Sequence, residues 1–215
     1  MVQVENWKEK YPQGHRTTVK DLFVRMKKEF GCDYLVVLGC KSGAGGERLE
    51  MARTEMLRVV KVMERYSSDQ TVQAWGMASV DGLRHACGMN KQGWEQQNVR
   101  VIDAVLKGMN DTSSAEVAIS GCSALAKFAI NANNVKSIGE KGGIDMLLKM
   151  MKIHGESNAL VADQSCHALS FLALNASNKN KILAANGLSI VKHMKKIWAS
   201  NAGVQEKAGF ALIIL

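Results

Sequence analysis

Apolar residues recur along the chain at helical rather than strand spacing. One block begins Val117-Ala118-Ile119-Ser120-Gly121-Cys122-Ser123-Ala124-Leu125, and a near copy begins Val161-Ala162-Asp163-Gln164-Ser165-Cys166-His167-Ala168-Leu169. A third opens at Val204 and runs to Leu212, and a fourth opens at Val72 and runs to Val80. The leading valines stand 45, 44 and 43 residues apart. Counting the valine as zero, offsets 4, 7 and 8 are small or aliphatic in every block: Gly76, Gly121, Ser165 and Ala208; Ser79, Ala124, Ala168 and Ala211; Val80, Leu125, Leu169 and Leu212. Offsets 0, 4, 7 and 8 share one face of a helix. The pattern therefore predicts four amphipathic helices, with small residues where neighbouring helices approach closely.

A second apolar block precedes each of these by about 16 residues: Met56–Met63, Val101–Leu106, Ile144–Met151 and Leu188–Met194. Two polar stretches, each with an isoleucine that reads as buried, come before the last two: Asn133–Ile138 and Asn178–Leu183. Gly142-Gly143 and Asn186-Gly187 then interrupt the chain, as helix C-caps and tight turns do. The unit reads as short helix, glycine turn, middle helix, polar loop, long helix. A period of this length, containing several helices, is the mark of a repeat array.

The pattern Asn-x4-Ile, Gly-Gly-Ile-x2-Leu-Leu, Val-x7-Leu resembles armadillo repeats, and Ala199–Ala208 is especially similar to them. The resemblance implies an all-α protein: a right-handed α-solenoid of three-helix repeats, about four of them, spanning 49–97, 98–141, 142–186 and an incomplete 187–215. Residues 1–48 are expected to form a polar leader and an atypical N-terminal capping unit whose long helix is Arg25–Cys40, because terminal repeats of an array differ from inner ones. The resemblance also implies a non-enzymatic interaction module, a scaffold or adaptor, with the partner protein held on the concave face of the long helices. Offsets 3, 6 and 10 would line that face. They place Trp75, Ser120, Ser123, Lys127, Gln164, His167, Phe171, Lys207 and Phe210 there as candidate partner-binding residues. Armadillo proteins that grip extended peptides carry Asn at offset 10, where this chain has Gly82, Lys127, Phe171 and Ile214. That departure points away from extended-peptide gripping and toward a helix or a folded surface as the partner.

Composition agrees with a folded helical chain. Apolar residues are 47% and charged residues 22%, and the single proline is Pro12. No apolar run is long enough for a membrane span, and the start, Met1 to Arg16, has no apolar core of a secretory signal. Five scattered cysteines without a CxxC pair read as reduced thiols, so a cytoplasmic location is expected, with the nucleus also open. The net charge of +8 allows an acidic protein, a nucleic acid or an anionic lipid as partner, but nucleic acid is not expected, because neither interleaved aromatics nor a nucleic-acid-binding motif is visible. The apolar run Phe210–Leu215 is expected either to associate with another copy or to meet a further repeat.

Alternative chemistry finds less support. Gly39–Arg48 is rich in glycine and follows the apolar run Tyr34–Leu38, so it is the best candidate for a nucleotide-binding loop. A phosphate loop needs G-x-x-x-x-G-K-[ST], yet Lys41-Ser42 follows Cys40. The G-x-G-x-x-G order also fails at Arg48. Cys122 and Cys166 share a repeat offset with Met77 and Gly209, which marks it as a packing position. His15, His154 and His193 read as surface residues. No catalytic, cofactor-binding or metal-ligating residues are assigned, and no cofactor is expected. Lys149, Lys152, Lys192, Lys195 and Lys196 fall on middle helices and read first as a solvated face, with an acidic or phosphate-bearing partner as the functional alternative.

Overall fold

The structure, a computed structural model, describes residues 46–83, 95–110 and 113–215. Among the described residues there are ten α-helices and no strand. In chain order they are α1 (Gly46–Arg65), α2 (Gln70–Leu83), α3 (Glu95–Gly108), α4 (Ala115–Phe128), α5 (Ala132–Glu140), α6 (Gly143–His154), α7 (Ala159–Leu172), α8 (Ala176–Ala184), α9 (Gly187–Ile197) and α10 (Ala202–Ile214). The four long helices of the sequence pattern are α2, α4, α7 and α10. The middle helices are α1, α3, α6 and α9, and the short ones are α5 and α8.

The helix starts are set by short polar side chains that accept hydrogen bonds from otherwise unpaired backbone N–H groups. Asp69 Oδ1 accepts from the Thr71 and Val72 amides. Ser114 Oγ accepts from Val117, Asn158 Oδ1 from Leu160 and Val161, and Asn201 Oδ1 from Val204. These four caps of the long helices repeat at the same 45, 44 and 43 residue steps as the valines. Asn131 and Asn175 cap the short helices in the same way. Between short and middle helices the chain turns through a left-handed residue, Gly142 at φ +82° and Asn186 at φ +59°. Glycine adopts that region freely and asparagine tolerates it better than most residues.

The long helices pack against one another in chain order, α2 on α4, α4 on α7 and α7 on α10. Each also packs on the middle helix that precedes it, and α6 packs on α9. Val72, Val117, Val161 and Val204 are buried at these junctions, as are Leu125, Leu169, Ala124, Ala168 and Ala211. The small residue at offset 4 has a visible reason. A Cβ on Gly76 would collide with Met63, and one on Gly121 with Met109, so the middle helix lies directly against the glycine backbone.

Two features differ from the sequence reading. A single helix, α1, runs from Gly46 to Arg65 across the expected 48/49 boundary, so the last three residues of the glycine-rich stretch begin a helix. His154, read as a surface residue, is buried in the last turn of α6. The sequence pattern misplaced it because the polar residues after it, Glu156 and Ser157, are exposed while His154, two residues before Glu156, turns inward. The polar leader, the capping helix Arg25–Cys40 and residues 39–45 lie outside the described residues.

Candidate functional site

The nine candidate residues separate by burial. Trp75, at 5% exposure, and Ser120 are buried in α2 and α4. Both contribute to the interior rather than to a surface strip. Ser123, Lys127, Gln164, His167, Phe171 and Lys207 are partly exposed, and Phe210 is exposed at 52%. These seven stand on α4, α7 and α10, three helices packed side by side.

Hydrogen bonds and ion pairs organise the strip. Lys127 Nζ pairs with Asp81, which ties α4 to α2. Gln164 Nε2 donates to Asp163 Oδ2 at 2.7 Å. Lys207 Nζ donates to Glu206 Oε1 at 2.8 Å. The rings of His167 and Phe171, one turn apart on α7, lie 5.1 Å between centroids and are tilted by 54°. Phe171 also packs on the buried core, so it is anchored on one side and open on the other.

His167 is the electrostatic centre of this strip. Its basicity is lowered, first by partial burial and then by the Lys207 ammonium, with Lys127 adding to the effect. Asp163 and Glu206 oppose it. The neutral imidazole is therefore favoured, with one ring nitrogen free to donate and the other to accept. The Glu206 carboxyl, fully exposed, is held below its usual range by the hydrogen bond from Lys207.

The acids Asp81, Asp163 and Glu206 escaped the sequence reading. Asp163 and Glu206 share offset 2, adjacent to the inspected offset 3, and Asp81 immediately precedes Gly82 at offset 10. An inspection of charge at neighbouring offsets finds all three. With them included, each lysine of the strip has an acidic partner.

The thiols are placed for packing. Cys122 and Cys166 are buried, and desolvation pushes both up to about 12. Ser165 Oγ donates to Cys122 Sγ at 3.2 Å. A thiol held in its protonated form is a poor nucleophile and a poor metal ligand. Among the described residues no group of three or more His, Cys, Asp or Glu could hold a metal ion, and no helix is long and apolar enough to cross a membrane.

Comparison with protein-family models, curated proteins and solved structures finds no match to this chain. The functional reading consequently rests on the residues themselves.

Proposed function

We propose that this chain is a non-enzymatic protein-binding module, an α-solenoid of armadillo-like units that holds a partner protein on the face of its long helices. The observation that carries the reading is the strip Ser123, Lys127, Gln164, His167, Phe171, Lys207 and Phe210 across α4, α7 and α10. It combines anchored aromatic surface with polar groups of both signs, the mixture that protein interfaces use. The repeated caps, left-handed turns and glycine contacts support the repeat reading, because one local solution recurs at one period. The charges of the strip are already paired internally, so recognition rests on the aromatic anchors and on directional hydrogen bonds. A partner helix or folded surface presenting an apolar side chain between Phe171 and Phe210 fits this chemistry.

The test is affinity capture with the wild-type chain and with the double substitution Lys127→Ala and Phe171→Ala. Both side chains are partly exposed, so circular dichroism should report an intact helical fold. The expected result is a protein retained by the wild type and lost from the variant. Identical capture by both would remove the strip as the binding face.

A further inference from the structure

The lysines of α6 and α9 differ from those of the strip. Lys149, Lys152, Lys192 and Lys196 are exposed, and no carboxylate of the described residues forms an ion pair with them. The two helices pack on each other, and most of their exposed residues coincide by repeat position, Lys192 excepted because its counterpart is the buried Leu148. Lys152 and Lys196 are 44 residues apart, as are Ile153 and Ile197. Each isoleucine follows its lysine directly and stays in solvent, Ile153 at 47% and Ile197 at 39%. Lysines in a last helical turn interact favourably with the helix dipole, which accounts for charge at these ends but not for the exposed isoleucines. The acids near this face are Asp145, on α6, and Glu156, which accepts a hydrogen bond from His193 at 2.8 Å.

The residue types distinguish among anionic partners. No arginine follows Arg100 in the chain, so every cation here is a lysine. The exposed positions of α6 and α9 carry no Phe, Tyr or Trp, and the one imidazole among them, His193, is engaged by Glu156. Protein hot spots favour Trp, Tyr and Arg, and interfaces are depleted in Lys. Single-stranded nucleic acid is held by stacking on aromatic rings. A lipid surface asks for neither. It attracts compact point charges to anionic headgroups and accepts aliphatic side chains at the headgroup boundary. We propose that the exposed face shared by α6 and α9 docks on an anionic membrane surface, with Lys149, Lys152, Lys192 and Lys196 against the headgroups and Ile153 and Ile197 inserted beside them. The face is separate from the strip on the long helices, so the inference goes beyond the protein-binding reading.

The experiment is co-sedimentation of the full chain with vesicles of roughly 70:30 phosphatidylcholine and phosphatidylserine, against phosphatidylcholine alone. Binding is expected only to the anionic vesicles and should fall steeply with added salt. Substituting Lys152→Glu and Lys196→Glu together should lower the partition coefficient at least ~25-fold, since each lost surface lysine alone is worth roughly fivefold. Lys149→Glu with Lys192→Glu should act in the same direction from the same face. Ile153→Ser with Ile197→Ser should weaken binding while leaving its salt dependence. The strip variant Lys127→Ala with Phe171→Ala should bind vesicles as the wild type does. Equal sedimentation with the two vesicle types, or full binding by both charge-reversal pairs, would overturn the proposal. Capture by a poly-glutamate peptide or a DNA duplex without vesicle binding would overturn it as well.

Discussion

Gln73 provides the sharpest quantitative test of how a long helix is locked to the middle helix before it. Its side chain is buried in α2, and Nε2 donates to the Met63 carbonyl at 2.9 Å and to the Tyr66 carbonyl at 2.8 Å. Met63 lies in the last turn of α1, where helix carbonyls lack intrahelical partners, and Tyr66 directly follows the helix, its carbonyl also accepting from the Asp69 amide at 3.0 Å. Gln205 repeats the arrangement in α10, donating to the Lys195 and Trp198 carbonyls at 2.6 and 3.0 Å. A Cβ on Gly108 would collide with Gln73 Oε1, so α3 closes on the amide from the other side. Gln73→Ala removes two hydrogen bonds worth about 1 kcal/mol each and leaves a small void worth about as much again, for a total of about 2–3 kcal/mol. Alanine itself suits the helix, since Ala118 and Ala162 hold the same offset in α4 and α7. For a chain of this size the loss corresponds to a fall in Tm of about 5–10 °C. Gln73→Met, which keeps the volume without the donor, should give an intermediate loss. Gln73→Glu should cost more than Ala, because a carboxylate would face two carbonyl oxygens. Gln205→Ala, only half-buried, should cost about 1 kcal/mol. The assay is thermal and urea unfolding followed by circular dichroism. A Gln73→Ala variant melting within about 1 °C of wild type would refute the lock, and a Gln73→Met variant equal to wild type would assign it to packing alone.

Four further outcomes are expected. At about pH 8, iodoacetamide should leave Cys122 and Cys166 unmodified in the native chain and alkylate both in urea, as peptide mapping would show, because burial holds both thiols protonated. Gly142→Ala should lower stability by about 1–2 kcal/mol in urea unfolding, since the residue sits at positive φ. Asn186→Gly at the equivalent turn should be neutral or slightly stabilising for the same reason, and a loss there would contradict the strain argument. For His167 the folded-state pKa is depressed, so the unfolded chain binds the proton more readily. Stability should therefore fall as the pH drops below the ordinary histidine value and level off below the depressed one. His167→Gln should flatten this part of a Tm-against-pH profile, and an unchanged profile would count against the assigned environment.

The spacing of the helices was readable because packing and capping recur together. The valine and small-residue offsets predicted the long helices, and the same intervals reappear in the caps Asp69, Ser114, Asn158 and Asn201, which no apolar count registers. The glycines at offset 4 were readable as close contacts, although only the structure names Met63 and Met109 as the residues that press on them. The strip was less readable. Offset arithmetic puts Trp75, Ser120, Gln164 and Lys207 in one class, yet the first two are buried and the last two are partly exposed. Offset 3 lies at the edge of the buried face, where a small rotation of the helix or the bulk of a neighbour decides exposure. His154 fails for the same reason at the end of α6. Polar partners across helices were also invisible in a one-helix reading, since Asp81 and Lys127 are 46 residues apart and meet only when α2 packs on α4.

Charge pairing, rather than charge number, separates the two candidate surfaces. The sequence alone shows a basic chain and invites an acidic partner for the whole of it. Yet Lys127 and Lys207 already have Asp81 and Glu206, so an acidic partner on the strip would have to displace existing pairs and would gain little from steering. Lys149, Lys152, Lys192 and Lys196 have no such pairs to break, and their attraction to an anionic surface is lost only to screening. The two readings thus predict opposite responses to one variable. Raising salt from about 0.05 to 0.5 M shortens the Debye length from roughly 14 to 4 Å. Vesicle binding through α6 and α9 should collapse over that range, while partner capture through Phe171 and Phe210 should persist or strengthen as apolar contact dominates. A strip partner released by salt in parallel with the vesicles would show that both events use the unpaired lysines, and would transfer the protein-binding site from the long helices to the middle ones.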